Sequence, residues 1–373
     1  MKLLHTADWH LGKSLQNNSL IDDQKFILEK FLEVVDKINP DVIIIAGDIY
    51  DRADPSTEAI NLFDDILFRL TAKKIPVLCI AGNHDSAERL NFGSRLFANQ
   101  KFFITTKTTD KPTTIKLNDE FGEVYFSLIP YFDPIEIKSK FFGDDVERLT
   151  FNDATKFYLD LARKEIPVGK RSVAIAHVFA EDGEESDSER KFVGTAGKVH
   201  TEIFSGYDYV ALGHLHKPQK MTAENIRYSG SLLKYSVKES SHVKGITLVE
   251  LDSKGFVRAE NIPLTPRRDL IEVSGTLAEL QAQSPCEDYA YVTLTDNEFV
   301  YDAAQKLRKV FPNLMEAKNK SKPKNLIEES TRKFREDAPI SEQFNNFFEA
   351  MTNRKLTIEE QAAMAEIFKE VES

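Results

Sequence analysis

Residues 41–51 read DVIIIAGDIYD. Val42 to Ala46 is an unbroken run of β-type residues with no polar position. That is the pattern of a strand covered on both faces, as in the parallel sheets of α/β folds. Gly47 and Asp48 then close the run with a turn residue and a carboxylate. The same design recurs on both sides. Residues 3–10 read LLHTADWH, and residues 77–85 read VLCIAGNHD. Between these runs, residues 22–38 carry an apolar stripe at Ile27, Phe31, Val34, Val35 and Ile38, which predicts a helix. Residues 57–72 predict another, with Ser56 as its N-cap after Pro55. The order strand, helix, strand, helix, strand implies a mostly parallel sheet with right-handed crossovers. Ligands of such sheets gather where the strands end.

Two further runs close in the same way, VAIAH at 173–177 and YVALGHLH at 209–216. Five of the eight histidines of the chain fall in these segments: His10, His84, His177, His214 and His216. Carboxylate and amide oxygens suit magnesium or manganese, and imidazole shifts the preference toward manganese, iron or zinc. No cysteine stands among the ligand candidates that close these runs, which argues against a structural zinc site. Asp8 and His10 alternate across an extended segment, so both should point to one side, as should His214 and His216. Gly47, Gly82 and Gly213 precede ligand candidates, consistent with sharp turns that leave room for a phosphate.

The succession D-x-H (Asp8, His10), G-D-x-x-D (Gly47 to Asp51), G-N-H-D (Gly82 to Asp85), a lone His177 and G-H-x-H (Gly213 to His216) resembles the calcineurin-like metallophosphoesterase superfamily. Residues 7–12 (ADWHLG), 89–96 (RLNFGSRL) and 129–131 (IPY) resemble its bacterial SbcD family of nuclease subunits. The resemblance implies a four-layered α/β/β/α sandwich and two divalent metal ions, manganese above all. It implies one metal on Asp8, His10 and His216, a second on Asn83, His177 and His214, and Asp48 bridging both. His84 would contact the scissile phosphate and help protonate the leaving oxygen, with Asp85 orienting it. Archaeal and eukaryotic relatives usually carry a second catalytic histidine where this chain has Asp51. Support for His10, a proton shuttle and a structural loop contact all remain open for it. The implied partners are DNA and an SbcC-type coiled-coil ATPase, with a homodimer inside a heterotetramer. The implied activity is exonuclease action on double-stranded ends and endonuclease action on single strands and hairpins. A different dinuclear phosphoesterase, a protein phosphatase or a cyclic-nucleotide phosphodiesterase, is the alternative.

The remaining sequence sets limits and a domain plan. An apolar fraction of 41% is enough for a sizeable core, yet no apolar run is long enough to span a bilayer. The start of the chain enters a strand at once, without a secretory signal. Cys79 in a strand and Cys286 in a loop suggest no disulfide framework and a cytoplasmic location. Strands are also expected at 124–129, and hairpins closing a second sheet over 226–262. The plan is a nuclease domain over 1–264, a small α+β capping, DNA-binding domain over 265–318, a basic linker over 319–335 and a helical, partner-binding segment over 336–373.

Although the net charge is −11, residues 304–335 hold ten lysines and arginines against three acids. That stretch reads as a DNA contact or as a solvated helix and linker. Phe344, Phe347 and Phe348 fall at i, i+3 and i+4, so one helical face should present three rings. They could fold back on the core or grip the ATPase coiled coil. The acidic run 181–189 reads as an exposed loop that could bend toward the metals. Trp9, His5, His200 and His242 read as packing or surface residues. Arg89 and Arg95 read equally as phosphate contacts or internal ion pairs.

Overall fold

The computed structural model describes residues 1–143, 146–189, 197–321, 340–352 and 354–371. The chain divides into two compact units. One is Met1–Glu272 with Glu287–Tyr291, and the other is Val273–Cys286 with Val292–Ser373.

The first unit is built on two six-stranded sheets. In the first, the order is Gly255–Pro263, Gly245–Asp252, Lys2–Thr6, Val42–Ala46, Val77–Ile80, Phe102–Thr105. The four strands from Lys2–Thr6 onward run parallel, as the alternation of strands and helices requires. In the second, the order is Gln219–Lys220, Ile226–Tyr228, Tyr209–Gly213, Arg171–His177, Gly122–Ile129, Thr113–Asp119. Its four inner strands are parallel and both edges antiparallel.

The sheets pack face to face. Leu3, Ile44, Ala46, Leu78 and Ile80 of the first form one core with Phe126, Leu128, Val173, Ile175, Tyr209 and Ala211 of the second. Leu4, Ile43 and Ile45 alternate with the inner residues and are equally buried. Helices Ile21–Ile38 and Thr57–Ala72 flank the first sheet and bury Ile27, Phe31, Val35, Ile66 and Leu70. Helix Phe151–Arg163 covers the second sheet, packing Ala154, Tyr158, Leu159 and Ala162 with Ala174, Ala176, Val210 and Leu212. Four layers result. Ser56 caps its helix as expected, accepting from the Ala59 N–H at 3.3 Å.

One expectation fails. Strands were anticipated over 226–262 as hairpins closing the second sheet. Only Ile226–Tyr228 joins that sheet. The hairpin of Gly245–Asp252 and Gly255–Pro263 returns to the first sheet and pairs antiparallel with Lys2–Thr6, Leu3 facing Val249. Lys2–Thr6 would otherwise be an edge strand with a free row of backbone donors and acceptors.

Strands Leu270–Gly275, Tyr289–Leu294 and Leu314–Asn319 form a separate three-stranded sheet. Helix Leu277–Gln281 starts in a capping box of Thr276 and Glu279. Helices Ile340–Thr352 and Ile358–Val371 follow. The expected basic linker lies outside the described residues from 322 on. The three phenylalanines do not present one open face. The Phe344 ring packs on Phe348 and on Phe368 of the other helix, at 6.3 and 5.7 Å. The Arg354 guanidinium lies over Phe348, and Phe347 is the exposed ring. The helix–helix hairpin covers Phe344 and Phe348 in part and leaves Phe347 exposed. Among the described residues, no helix is long and apolar enough to cross a membrane.

The second sheet is tied at its edge by Arg171, whose guanidinium donates to both oxygens of Asp119 at 2.8 and 2.5 Å and to the carbonyls of Gly122 and Asp252 at 3.0 Å. This partner holds the Asp119 carboxyl well below the usual carboxylate range. A depressed folded-state pKa contributes stability above the unfolded value, about 4, and that contribution is lost as pH falls through the folded one. Asp119→Asn is therefore expected to lower stability at pH 7 on the order of 2 kcal/mol. In urea unfolding, the gap between variant and parent should narrow as the pH is taken below about 4.

Candidate metal centre

The strand ends of both sheets meet at one place. Each of the expected ligands Asp8, His10, Asp48, His177, His214 and His216 is buried there, with Asn83 half-buried beside them. Nε2 of His10 lies 3.0 Å from Nε2 of His216 and 3.6 Å from Oδ2 of Asp48. On the other side, Oδ1 of Asn83 lies 3.0 Å from Nε2 of His177 and 2.9 Å from Nδ1 of His214. Nε2 of His177 is 3.4 Å from Oδ2 of Asp48. Asp48 is common to both close groupings of donor atoms, His10–Asp48–His84 and Asp8–Asp48–His177. Ligands bound at right angles to one cation, with bonds of about 2.1 Å, lie about 3 Å apart. These spacings therefore fit cations between the donors. Oδ1 of Asp8 accepts from the His214 N–H, whereas its buried Oδ2 has no hydrogen-bond partner among the described residues, which also fits a cation there.

The backbone that aims these side chains is not extended. Strand Lys2–Thr6 stops before Asp8, whose φ is 53°, and His10 has φ 45°. Asp48 has φ 51° and His214 φ 111°. Four of the nine non-glycine residues with positive φ among the described residues are expected ligands. Left-handed backbone is costly for such residues and gathers at functional sites. Asp8 and His10, and His214 and His216, therefore do not alternate along extended strands as expected. Both pairs stand on strained turns beyond the strand ends. The glycines also act otherwise than expected. A Cβ on Gly82 would come within 2.1 Å of Asp48 Oδ1, and one on Gly213 within 1.9 Å of the Ala46 carbonyl oxygen. They make room for the protein's own backbone and ligands, not for a phosphate.

Burial governs the electrostatics. It pushes the Asp8 carboxyl up to about 7 and the His214 imidazole down to about 3, and it lowers His10 well below its ordinary value. Burial also opposes charge on His177, but the Asp48 carboxylate outweighs it and raises that imidazole to about 9. Asp48, burdened by the same burial, is held low by His177. The Ala46 carbonyl accepts from Nδ1–H of His177 at 2.9 Å, so Nε2 is the atom turned to Asp48 and Asn83. A cation at Asp48 would take the place of the His177 proton.

His84 lies at the rim. Its backbone N–H donates to Asp48 Oδ1 at 2.9 Å, and its Nδ1–H donates to the Asp51 carbonyl at 2.8 Å. Asp85 does not take the expected place beside that ring. Burial pushes its carboxyl up to about 6, and its oxygens accept from the N–H groups of Tyr50, Gly82 and Ile49 at 2.9, 2.9 and 3.2 Å. It joins the Asp48 and Asn83 loops instead. Asp51 is ion-paired with Lys13 at 2.7 Å and faces Nδ1 of His10 at 3.6 Å, the geometry of support for His10.

Residues 1–218 match the family model of the calcineurin-like phosphoesterases, and residues 266–352 that of the type 5 capsule protein repressor C-terminal domain. The chain is 34% identical over 365 residues to the SbcD component of the SbcCD nuclease of Staphylococcus epidermidis, covering 96% of this chain and 95% of that protein. The chain belongs to the SbcD nuclease family of the calcineurin-like phosphoesterases. It is a metal-dependent hydrolase of phosphate esters. A dimetal phosphatase from Danio rerio, known from its crystal structure, is 12% identical with a TM-score of 0.40, over 71% of this chain and 99% of that one. That likeness is too slight to argue from.

Trp9 is a packing residue, edge-on to Phe31 and Phe63, with its N–H on Thr6 Oγ1. His5 is a core residue against the Tyr209 hydroxyl. His200 is exposed and paired with Glu181, whereas His242 is half-buried. Arg89 pairs with Asp54. The acidic run 181–189 is not simply an exposed loop, because Glu189 is buried and accepts from the His216 N–H at 2.8 Å.

Gln24 and Tyr235 were not foreseen. Gln24 donates to the His10 carbonyl at 2.7 Å and accepts from Gly12 N–H, and the Tyr235 hydroxyl donates to the Trp9 carbonyl. Together they clamp the Asp8–His10 turn. A glutamine inside the buried face of helix Ile21–Ile38 was the one available signal.

The Asp85 clamp yields a test. Asp85→Asn replaces one acceptor oxygen with an NH2 that confronts a backbone N–H. A loss of about 1–3 kcal/mol in chemical unfolding is expected, the usual penalty for an unsatisfied buried donor. Metal content should fall with it.

Proposed function

We propose that this chain is the manganese-dependent nuclease subunit of an SbcCD-type, ATP-dependent DNA repair and recombination complex. The observation that carries the reading is the convergence of the six other expected ligands around Asp48 in a chain of the SbcD family. Asp8, His10, His216 and Asp48 would hold one cation, and Asn83, His177, His214 and Asp48 the other. A mixed set of imidazole, carboxylate and amide donors favours manganese over magnesium. When bound, two such cations lower the pKa of a water nucleophile and neutralise charge on the phosphoryl group.

The residues of the chain supply the rest. Asp48 fixes the spacing of the two donor sets. His84 keeps Nδ1–H on the Asp51 carbonyl, with its ring edge-on to His10 and beside Asp48. From there a charged ring can donate to the leaving oxygen of the DNA strand. Residues 265–318 serve as a capping domain on DNA, and the basic stretch 304–335 adds to its hold. Residues 336–373 bind the coiled coil of an SbcC-type ATPase. The assembly is a homodimer of this chain within a heterotetramer, in the cytoplasm.

Asp48→Ala is expected to abolish manganese-dependent cleavage of oligonucleotide DNA and to lower bound metal. His84→Ala should keep both metals and lose about 10²–10⁴-fold in rate. Metal analysis beside single-turnover rates checks both, and a His84 variant that loses metal would make it a ligand.

The tail yields a separate expectation. Removing residues 336–373 should spare nuclease activity of the isolated chain and abolish co-elution with the ATPase. Retained co-elution, or an unfolded catalytic unit, would contradict the assignment of Phe344, Phe347 and Phe348 to partner binding.

A further inference from the structure

The imidazole of His216 makes contacts on both ring nitrogens. Nε2 faces His10, whereas Nδ1 lies 2.7 Å from Oγ of Ser188. That hydroxyl is 2.5 Å from Oε1 of Glu239. Glu239 is wholly buried, and its other oxygen accepts from Nζ of Lys244 at 2.6 Å. Lys244 is buried as well, and its ammonium also donates to the His216 carbonyl at 2.7 Å and to Ser231 Oγ at 2.8 Å. Ser186 and Ser236 hydroxyls complete the shell of Oε1, each at 3.1 Å. A buried carboxylate so surrounded stays ionised, because its charge is both paired and hydrogen-bonded.

Proton accounting then fixes the direction of the chain. An ionised carboxylate only accepts, and a serine hydroxyl has one proton to give. The short Ser188–Glu239 contact takes that proton, in the range of a charge-assisted O–H···O⁻ bond. Ser188 is left to accept, so His216 must present Nδ1–H to it. Its Nε2 then carries the lone pair on the side of His10 and Asp48. A metal-binding histidine is commonly set in this way by a carboxylate on its far nitrogen, directly or through a polar group.

We infer that Glu239, pinned by Lys244 and acting through Ser188, is a positioning residue that holds His216 in the Nδ1–H tautomer and keeps its Nε2 open to a divalent cation. The inference rests on the ligand assignment under the proposed function. Lys244 serves both ends of the relay, holding the carboxylate with one proton and the His216 backbone with another. Ser188 comes from the acidic stretch 181–189, so the docking of that stretch and the state of His216 are one event.

The test uses the full chain. Long-range ¹H–¹⁵N spectra of the metal-free protein read the His216 tautomer, and calorimetric titration with Mn²⁺ alone reads the binding. In the parent chain the His216 proton is expected on Nδ1. Ser188→Ala, which leaves the Glu239–Lys244 pair intact, should give mixed tautomers and weaken one of two Mn²⁺ equivalents about 10- to 100-fold. Glu239→Gln with Lys244→Met removes both buried charges together and should do the same without leaving an unpaired ion. A parent chain with the proton on Nε2 overturns the inference. So do folded variants that bind both equivalents as tightly as the parent. Because the tautomer is read without metal or DNA, a chain that binds Mn²⁺ yet cleaves no DNA would refute the proposed function and leave this inference standing.

Discussion

The carbonyl oxygen of Ala46 lies 2.9 Å from Nδ1 of His177 and would lie 1.9 Å from any Cβ on Gly213. At this point the backbones of the two sheets come too close to admit a side chain between them. The approach fixes everything around it. It turns Nε2 of His177 to Asp48 and brings the ends of strands Val42–Ala46, Arg171–His177 and Tyr209–Gly213 to one spot. It leaves no space for a side chain at the glycines that separate them. The rest of the catalytic unit can be viewed as the packing that makes this contact hold. One apolar core lies between the sheets, and helices lie on both outer faces.

The same approach explains the strain. Asp8, His10, Asp48 and His214 adopt positive φ, a conformation that costs of order 1–3 kcal/mol each where it leaves the favoured regions. Hydrogen bonds offset part of that cost. Asp85 ties three N–H groups, Gln24 and Tyr235 hold the Asp8–His10 turn, and the Asp8 N–H donates to the Gly47 carbonyl at 3.0 Å. Cations would offset the remainder by neutralising carboxylates that burial alone leaves unfavourable.

Much of this was legible in the sequence, for identifiable reasons. Runs such as VIIIA and VAIAH admit few readings besides buried strands, and Asp, Asn and His at their ends admit few besides cation ligands. What was not legible was long-range. Nothing local in residues 245–263 says that they pair with Lys2–Thr6, since edge strands of either sheet carry the same alternation. Asp85 follows a histidine in the chain but acts on the backbone of residues 49, 50 and 82, a relation only the fold creates. Glu239 and Lys244 are polar residues whose burial cannot be read from spacing. Phe344, Phe347 and Phe348 followed helical periodicity, but periodicity does not tell which ring the neighbouring helix covers.

The pairing of Lys2–Thr6 with Gly245–Asp252 has a consequence for the birth of the molecule. Lys2–Thr6 acquires this neighbour only once synthesis has passed residues 245–252. His214 and His216 arrive almost as late. A nascent chain can form the three-strand parallel core around Val42–Ala46 early, but it must then wait with one edge of that core open. Non-local pairing of this kind slows folding and exposes strand edges to other chains. Until residues 214–216 are made, the nascent chain also lacks His214 and His216, two of the expected ligands.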